Sequence, residues 1–244
     1  RDLVRSRGLG DVYKRQYMFF TVLLHFGTLI SVCMVYWRDI VDMIREFFLG
    51  IAALAGRKDT GVAPPPARRM VMLIIIATVP LFVMVFLQDA VNQLFSNSIM
   101  VSCALLATGF ILFFSDRMAR GHKTAKNATV ADALIVGCGQ ALAVIPGLSR
   151  SGTTISVGMM RGFDRAFAVR FSFLMSLPAV LGANVLEIKD ALASNFPIEE
   201  LPMYLVGVAV SAVVGYFAIR LVKSLSDKGK FGKFAYYCWA VGLG

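Results

Sequence analysis

The sequence predicts an all-α polytopic membrane protein, with about six transmembrane helices and a re-entrant helical hairpin that forms half of an inverted-repeat architecture. Three observations carry the prediction. First, 57% of the 244 residues are hydrophobic and the mean hydropathy is +0.70, more than a soluble core of this size requires. Second, the apolar runs are continuous instead of alternating, and in lipid only helices or closed barrels satisfy the backbone, so the runs are helices. Third, one apolar run stops at a polar motif after about 13 residues, well short of the roughly 20 that a crossing needs.

The charge is consistent with this class. A net charge of +10 raises nucleic acid as a partner, but Lys and Arg gather in short loops between the apolar runs. The positive-inside bias of inner-membrane proteins places them there, so the bilayer is the expected partner and nucleic acid is not. Cys33, Cys103, Cys138 and Cys238 are widely spaced and form no C-x-x-C pair. Neither a zinc site nor a disulfide framework follows, and the four are expected to be free, buried small residues.

Taken in order, residues 1–16 hold five basic and two acidic groups without an apolar period. They resemble a translated sequencing-adaptor read-through more than a protein segment, and the membrane domain is expected to run from 17 to 244. Residues 17–37 form the first span, with Tyr17 and Trp37 as interfacial anchors. An amphipathic stretch around "IVDMIREFFLGIAAL" and the stiff connection "APPPARR" follow. Spans at 70–87 and 98–114 are joined by "QDAVNQLFSNS", which lacks Lys and Arg and is therefore the outer loop. The basic segment 115–132 is inner. A hairpin over about 133–163 then enters and leaves on the same side, with the motif at its tip. Residues 166–188 span next, with Pro178 as a kink, and 202–222 return to a basic inner loop. The last run, from 234, is too short to cross, so the chain is expected to be cut at both ends.

The motif is "VIPGLSRSGTTIS", residues 144–156. Its glycines permit a tight turn leading straight into a helix, and helix N-termini with free N–H groups bind phosphate. Arg150 adds a planar charged fork that matches phosphate oxygens, and Ser149, Ser151, Thr153 and Thr154 add hydroxyls. An Arg at membrane depth costs roughly 2.5 to 3.5 kcal/mol and needs compensation. Two readings stay open on the residues alone: Arg150 holds a phosphate, or it pairs with a carboxylate or helix C-terminus and pins the hairpin.

The stretch "PGLSRSGTTISVGMMRGFDRAFAVRFSFLMSLPAVLGA" is similar to the second signature region of the bacitracin-resistance family, the undecaprenyl-diphosphate phosphatases. Their PGxSRSG hallmark is matched from Pro146 to Gly152, and "HFGTLISVCMVYWRDI" resembles the family's early span. The resemblance covers about 17–244. It implies a hydrolase of the bacterial inner membrane that converts undecaprenyl diphosphate to the monophosphate carrier of peptidoglycan synthesis. It further implies a catalytic Arg150, with Ser149, Ser151, Gly152, Thr153 and Thr154 binding the diphosphate of a polyprenyl lipid, and a divalent cation, Mg²⁺ or Ca²⁺. The family's glutamate-rich and PxSSxGH-like motifs, which supply carboxylates and a further catalytic group, are absent from this sequence and would lie upstream of Tyr17. No metal ligand is assigned, and the chain is expected to be catalytically incomplete.

Among the remaining polar residues, His25 is expected to be packed and bonded to a backbone carbonyl, and His122 solvated. Asp164 is expected to form an ion-pair cluster with Arg161, Arg165 and Arg170, three arginines that also suit lipid head groups. The basic loops put the hairpin's ends on the cytoplasmic side, whereas the family's head group is commonly taken to be handled at the outer leaflet. An inverted repeat whose two hairpin tips meet near the midplane reconciles these. A lipid-phosphate or anion transporter using the same hairpin is the alternative. The phosphatidic-acid-phosphatase type fares worse, because its histidine after the Ser-Arg motif is missing. Homo-oligomerisation is not readable from these residues.

Overall fold

The structure is a computed structural model that describes residues 20, 21, 23–55, 65–87, 98–192 and 201–244. Its helices are α1 (Leu23–Val35), α2 (Trp37–Ala55), α3 (Pro66–Phe86), α4 (Ser98–Met118), α5 (Val130–Leu142), α6 (Arg150–Met160), α7 (Arg165–Leu192), α8 (Leu201–Asp227) and α9 (Phe234–Leu243), the last preceded by a 3₁₀ turn, Phe231–Lys233. Apart from an isolated bridge between Lys123 and Phe163, no β-structure occurs among the described residues. The all-helical expectation holds.

Four of these helices, α3, α4, α7 and α8, are long and apolar enough to cross a membrane. Their surfaces say the same. In the apolar window of α8 only 6% of residues are buried, and Val206, Val210, Val213, Val214 and Phe217 are all exposed. Such a continuous apolar face is unsustainable in water and is natural against lipid tails. Pro66 opens α3 at the first helical position, where a missing N–H costs nothing, so this helix starts four residues before the expected span. Pro80 and Pro178 lie inside α3 and α7. The start of the first span, the expected outer loop "QDAVNQLFSNS" and the 1–16 leader fall wholly or partly outside the described residues.

The chain divides into two compact units. One draws on Arg1–Val35 and Ser176–Arg220. In it α1 and α8 approach closely through small residues. A Cβ on Gly27 would stand 2.6 Å from the Val208 carbonyl oxygen, Ser31 donates to Ala212 O at 2.7 Å, and Ser211 donates to Leu24 O at 2.7 Å. Small residues with hydroxyl cross-links are the usual means of joining helices where burial of apolar surface gives no drive. His25 contacts the Thr21 carbonyl through Nδ1 at 2.8 Å, as expected, but it is exposed, not packed.

The other unit, Tyr36–Met175 with Leu221–Gly244, holds the hairpin. Here α3 packs on α2 and α5, and α4 packs on α6 and α9. Arg68 pairs with Glu46 at 3.0 Å to tie α3 to α2, and Trp239 of α9 fills the space left by Gly109 of α4 beside Phe110 and Phe113. All four cysteines are free, but only Cys238 is buried; Cys103 and Cys138 stand on outward helix faces. In a protein read as membrane-embedded, such faces meet lipid, so apolar surroundings do not require a core position.

Candidate functional site

The motif occupies the turn between two short helices. At 1.5 Å per residue, the 13 residues of α5 and the 11 of α6 reach about 20 and about 16 Å, against a hydrocarbon core of about 30 Å. The two helices pack against each other across this turn, and neither is long enough to cross.

Backbone chemistry builds the tip. Gly147 has φ +92°, a region closed to most side chains, and a Cβ there would come within 2.4 Å of the Val101 carbonyl oxygen of α4. Thr108, fully buried on α4, braces both sides of the turn. Its hydroxyl lies 2.9 Å from Ala104 O and 3.3 Å from Gly147 O, and it accepts from the Ser149 N–H at 3.3 Å. Ser149 is the N-cap of α6, and its Oγ accepts from Gly152 N at 3.2 Å. Among the described residues the N–H groups of Arg150 and Ser151 keep no partner, and they point out of the helix start.

The side chains predicted to bind diphosphate divide into two sets. Arg150 is exposed at the first helical position, and its guanidinium has neither an ion pair nor a hydrogen bond among the described residues. The pinning reading of Arg150 therefore finds no carboxylate or carbonyl to support it. Ser149 is exposed, Ser151 half-buried, and the hydroxyl of Thr153 is buried without a partner among the described residues. Thr154 and Gly152 are placed differently. The Thr154 hydroxyl is 2.9 Å from Arg150 O and 2.5 Å from the Ser172 hydroxyl of α7, which uses it for helix packing, and the Gly152 N–H is taken by the Ser149 cap. One turn on, Ser156 bonds Ser115 of α4 at 2.8 Å.

The open end of the hairpin is held by Asp132, which the sequence reading did not single out. It lies in the first turn of α5, beside the basic loop and outside the spanning helices. Its carboxylate is 0% exposed, takes Lys123 Nζ at 2.8 Å and Arg161 at 2.9 Å, and closes a capping box by accepting from Thr129 N at 3.0 Å. Burial pushes its pKa up, but the Lys123 ammonium, the Thr129 hydrogen bonds and the Arg161 guanidinium outweigh it and hold the group at about 2. Backbone bonds from Lys123 N to Gly162 O and from Asp164 N to Lys123 O, both 2.9 Å, close the same end.

Among the described residues Asp164 itself joins no ion-pair cluster. It precedes α7 and accepts from Phe167 N at 3.3 Å, while Arg161 goes to Asp132, Arg165 to Asp116 and Arg170 to Asp39. The three arginines leave at different angles, and a carboxylate before a helix start is committed to capping. His122 is exposed, as expected. Among the described residues no three His, Cys, Asp or Glu side chains gather to hold a metal ion. Asp39, Asp116, Asp132 and Glu46 are instead paired with Arg or Lys, so the described residues do not fit a cation site.

Comparison with known proteins matches the family model "Bacitracin resistance protein BacA" over residues 6–244. The chain belongs to the BacA family. Within it, the chain is 40% identical over 241 residues to an undecaprenyl-diphosphatase of Alkaliphilus metalliredigens, covering 98% of this chain and 87% of that relative. It is 37% identical to one of Methanosphaera stadtmanae, covering 92% and 82%, and 40% identical to one of Methanobrevibacter smithii, covering 92% and 81%. The BacA match, 6–244, includes the PGxSRSG stretch from Pro146 to Gly152. Nothing among these relatives favours the transport alternative.

Proposed function

We propose that this BacA-family chain hydrolyses undecaprenyl diphosphate in the bacterial cytoplasmic membrane, returning the monophosphate carrier to peptidoglycan synthesis. Family membership supports the reaction and substrate class, and the unpartnered Arg150 guanidinium at a hairpin tip supports the place where the diphosphate binds. In this reading the polyprenyl tail stays among the lipid-facing helices while the head group reaches the tip. Arg150 spans two phosphoryl oxygens, and the free N–H groups of Arg150 and Ser151 add neutral donors aligned with the helix dipole. Ser149 and Ser151 supply hydroxyls from the rim, and Thr153 supplies one from one turn deeper.

These groups neutralise and orient. Water adds to the terminal phosphorus as the P–O–P bond breaks, giving the lipid monophosphate and inorganic phosphate. Charge developing on the bridging oxygen is what the Arg150 fork offsets. About six spans with α5 and α6 as a re-entrant pair, half of an inverted repeat, is the architecture that accompanies this reading, since both short helices fall well below crossing length. A requirement for Mg²⁺ or Ca²⁺ belongs to the proposal through family resemblance alone.

The test is phosphate release from a polyprenyl diphosphate by the purified protein in detergent, with and without chelator, together with binding of a non-hydrolysable diphosphate lipid. Arg150→Ala is expected to abolish release and weaken binding at least tenfold, and Arg150→Lys to recover only part, because a point charge replaces a fork. Unchanged binding in Arg150→Ala would remove the tip from the proposal.

A further inference from the structure

A second polar side chain below the tip has no partner. Gln140 lies in the last turn of α5, is 1% exposed, and neither its Nε2 nor its Oε1 makes a hydrogen bond among the described residues. Thr153, 4% exposed, leaves Oγ1 equally unpartnered. The rest of the hairpin is unlike this: Asp132, Thr154 and Ser156 all reach partners on neighbouring elements. An amide left unpaired in a packed interior is costly, so native structures that retain one usually place a ligand, a water or a reacting group against it.

The direction of Gln140 follows from its neighbours. A Cβ on Gly137 would be 2.2 Å from the Ala77 carbonyl oxygen, so that face of α5 is pressed on α3. A Cβ on Gly139 would stand 3.1 Å from Val157 Cγ2 and 3.8 Å from Thr153 Cγ2, so that face is pressed on α6. Successive helical residues turn by about 100°. Residue 140 therefore projects between the two contacts, toward the interior that α3, α5 and α6 enclose, at the level of Thr153. Thr153 in turn lies three residues after Arg150, on the same face of α6. Arg150, Thr153 and Gln140 thus form a descending series of unpartnered groups, charged at the rim and neutral at the floor.

We infer that Gln140 is a further substrate-contacting residue, the floor of the diphosphate site, with Nε2 donating to an oxygen of the terminal phosphoryl group and Oε1 accepting from a water held beside it. This rests on the phosphatase reading above and deepens it. A neutral donor suits the floor, because a buried cation there would need its own compensation.

The experiment compares wild type, Gln140→Leu and Arg150→Ala in the full chain in detergent, measuring affinity for methylenediphosphonate by calorimetry and thermal unfolding. Loss of a hydrogen bond to a charged oxygen is expected to weaken binding by roughly tenfold to a hundredfold. Unfolding of the same variant is expected at an unchanged or higher temperature, because an unpaired buried amide has been removed; a merely structural glutamine would give the opposite. Should the leucine not pack, Gln140→Met offers the same test with an unbranched side chain. Affinity within twofold of wild type in the Gln140 variants, with Arg150→Ala impaired, would overturn the floor while leaving the site standing. Wild-type affinity in Arg150→Ala as well would overturn both.

Discussion

Replacing Asp132 by Asn tests whether the open end of the hairpin is held by charge. The amide keeps an acceptor for the Thr129 N–H but loses both ion pairs, to Lys123 at 2.8 Å and Arg161 at 2.9 Å. The size of the loss follows from the acidity of the group. A fall from the usual 3.8 to about 2 means that folding stabilises the ionised form relative to the protonated one by about 2 kcal/mol compared with the unfolded chain. That is less than the 3 to 5 kcal/mol of a fully buried pair broken on one side, as it should be with Lys123 35% and Arg161 40% exposed and able to turn to water. Because the folded pKa is depressed, the contribution is fully present above about pH 4 and is lost as the pH falls through about 2. Unfolding in detergent, followed from pH 7 down to pH 2, is therefore expected to show Asp132→Asn about 2 kcal/mol less stable at neutral pH, with the two proteins converging in acid. An equal acid slope in both proteins, or a neutral-pH difference below about 0.5 kcal/mol, would refute the electrostatic account.

Further outcomes follow from the tip. Thr154→Val is expected to lower stability by about 1 kcal/mol through the lost bond to Ser172, with KM for the lipid within twofold of wild type; a large rise in KM would return Thr154 to the binding set. Thr108→Val should act in the opposite sense, lowering phosphate release more than stability, since it frees the N–H of Ser149 and lets the cap of α6 shift. Gly147→Ala meets both a positive φ and the Val101 carbonyl, and is expected to cost about 3 kcal/mol or more, read as loss of folded protein in a thermal scan.

Sequence reasoning located the turn between two short helices because two of its signals are local. The run from Val130 to Leu142 is too short to cross, and PGxSRSG announces a turn entering a helix. The capping role of Ser149 and the bend at Gly147 are of the same kind, a residue acting on its own backbone. What could not be read was partner choice across the fold. Arg161 lies close in sequence to Asp164, yet its carboxylate is Asp132, 29 residues away, and Arg170 reaches Asp39 over 131 residues. Proximity along the chain suggested the wrong acid, because Arg161 ends α6 whereas Arg165 and Arg170 stand on different sides of α7. Thr153 and Thr154 look equivalent in "SGTT", and the 100° turn between them separates a free hydroxyl from a packed one. Gln140 did leave a signal, an amide flanked by small residues inside an apolar helix, of the sort that marks function at membrane depth.

The distribution of bonds along α6 explains how so short a helix can be both anchor and binding element. Its lower part is stitched on three sides, by Thr154 to Ser172, Ser156 to Ser115 and Arg161 to Asp132, so its orientation does not depend on the tip. Its first turn is left open, with a guanidinium, two N–H groups and a hydroxyl that are unpaired among the described residues. Had Arg150 been paired like Arg161, an anion would have had to displace a carboxylate, and much of the binding energy would have gone into breaking that pair. Leaving the turn unpaired instead places the cost in folding, where the bonds of the lower turns offset it. A stabilising mutation at the tip that supplies Arg150 with an internal carboxylate is therefore expected to raise the unfolding temperature and reduce diphosphate affinity together.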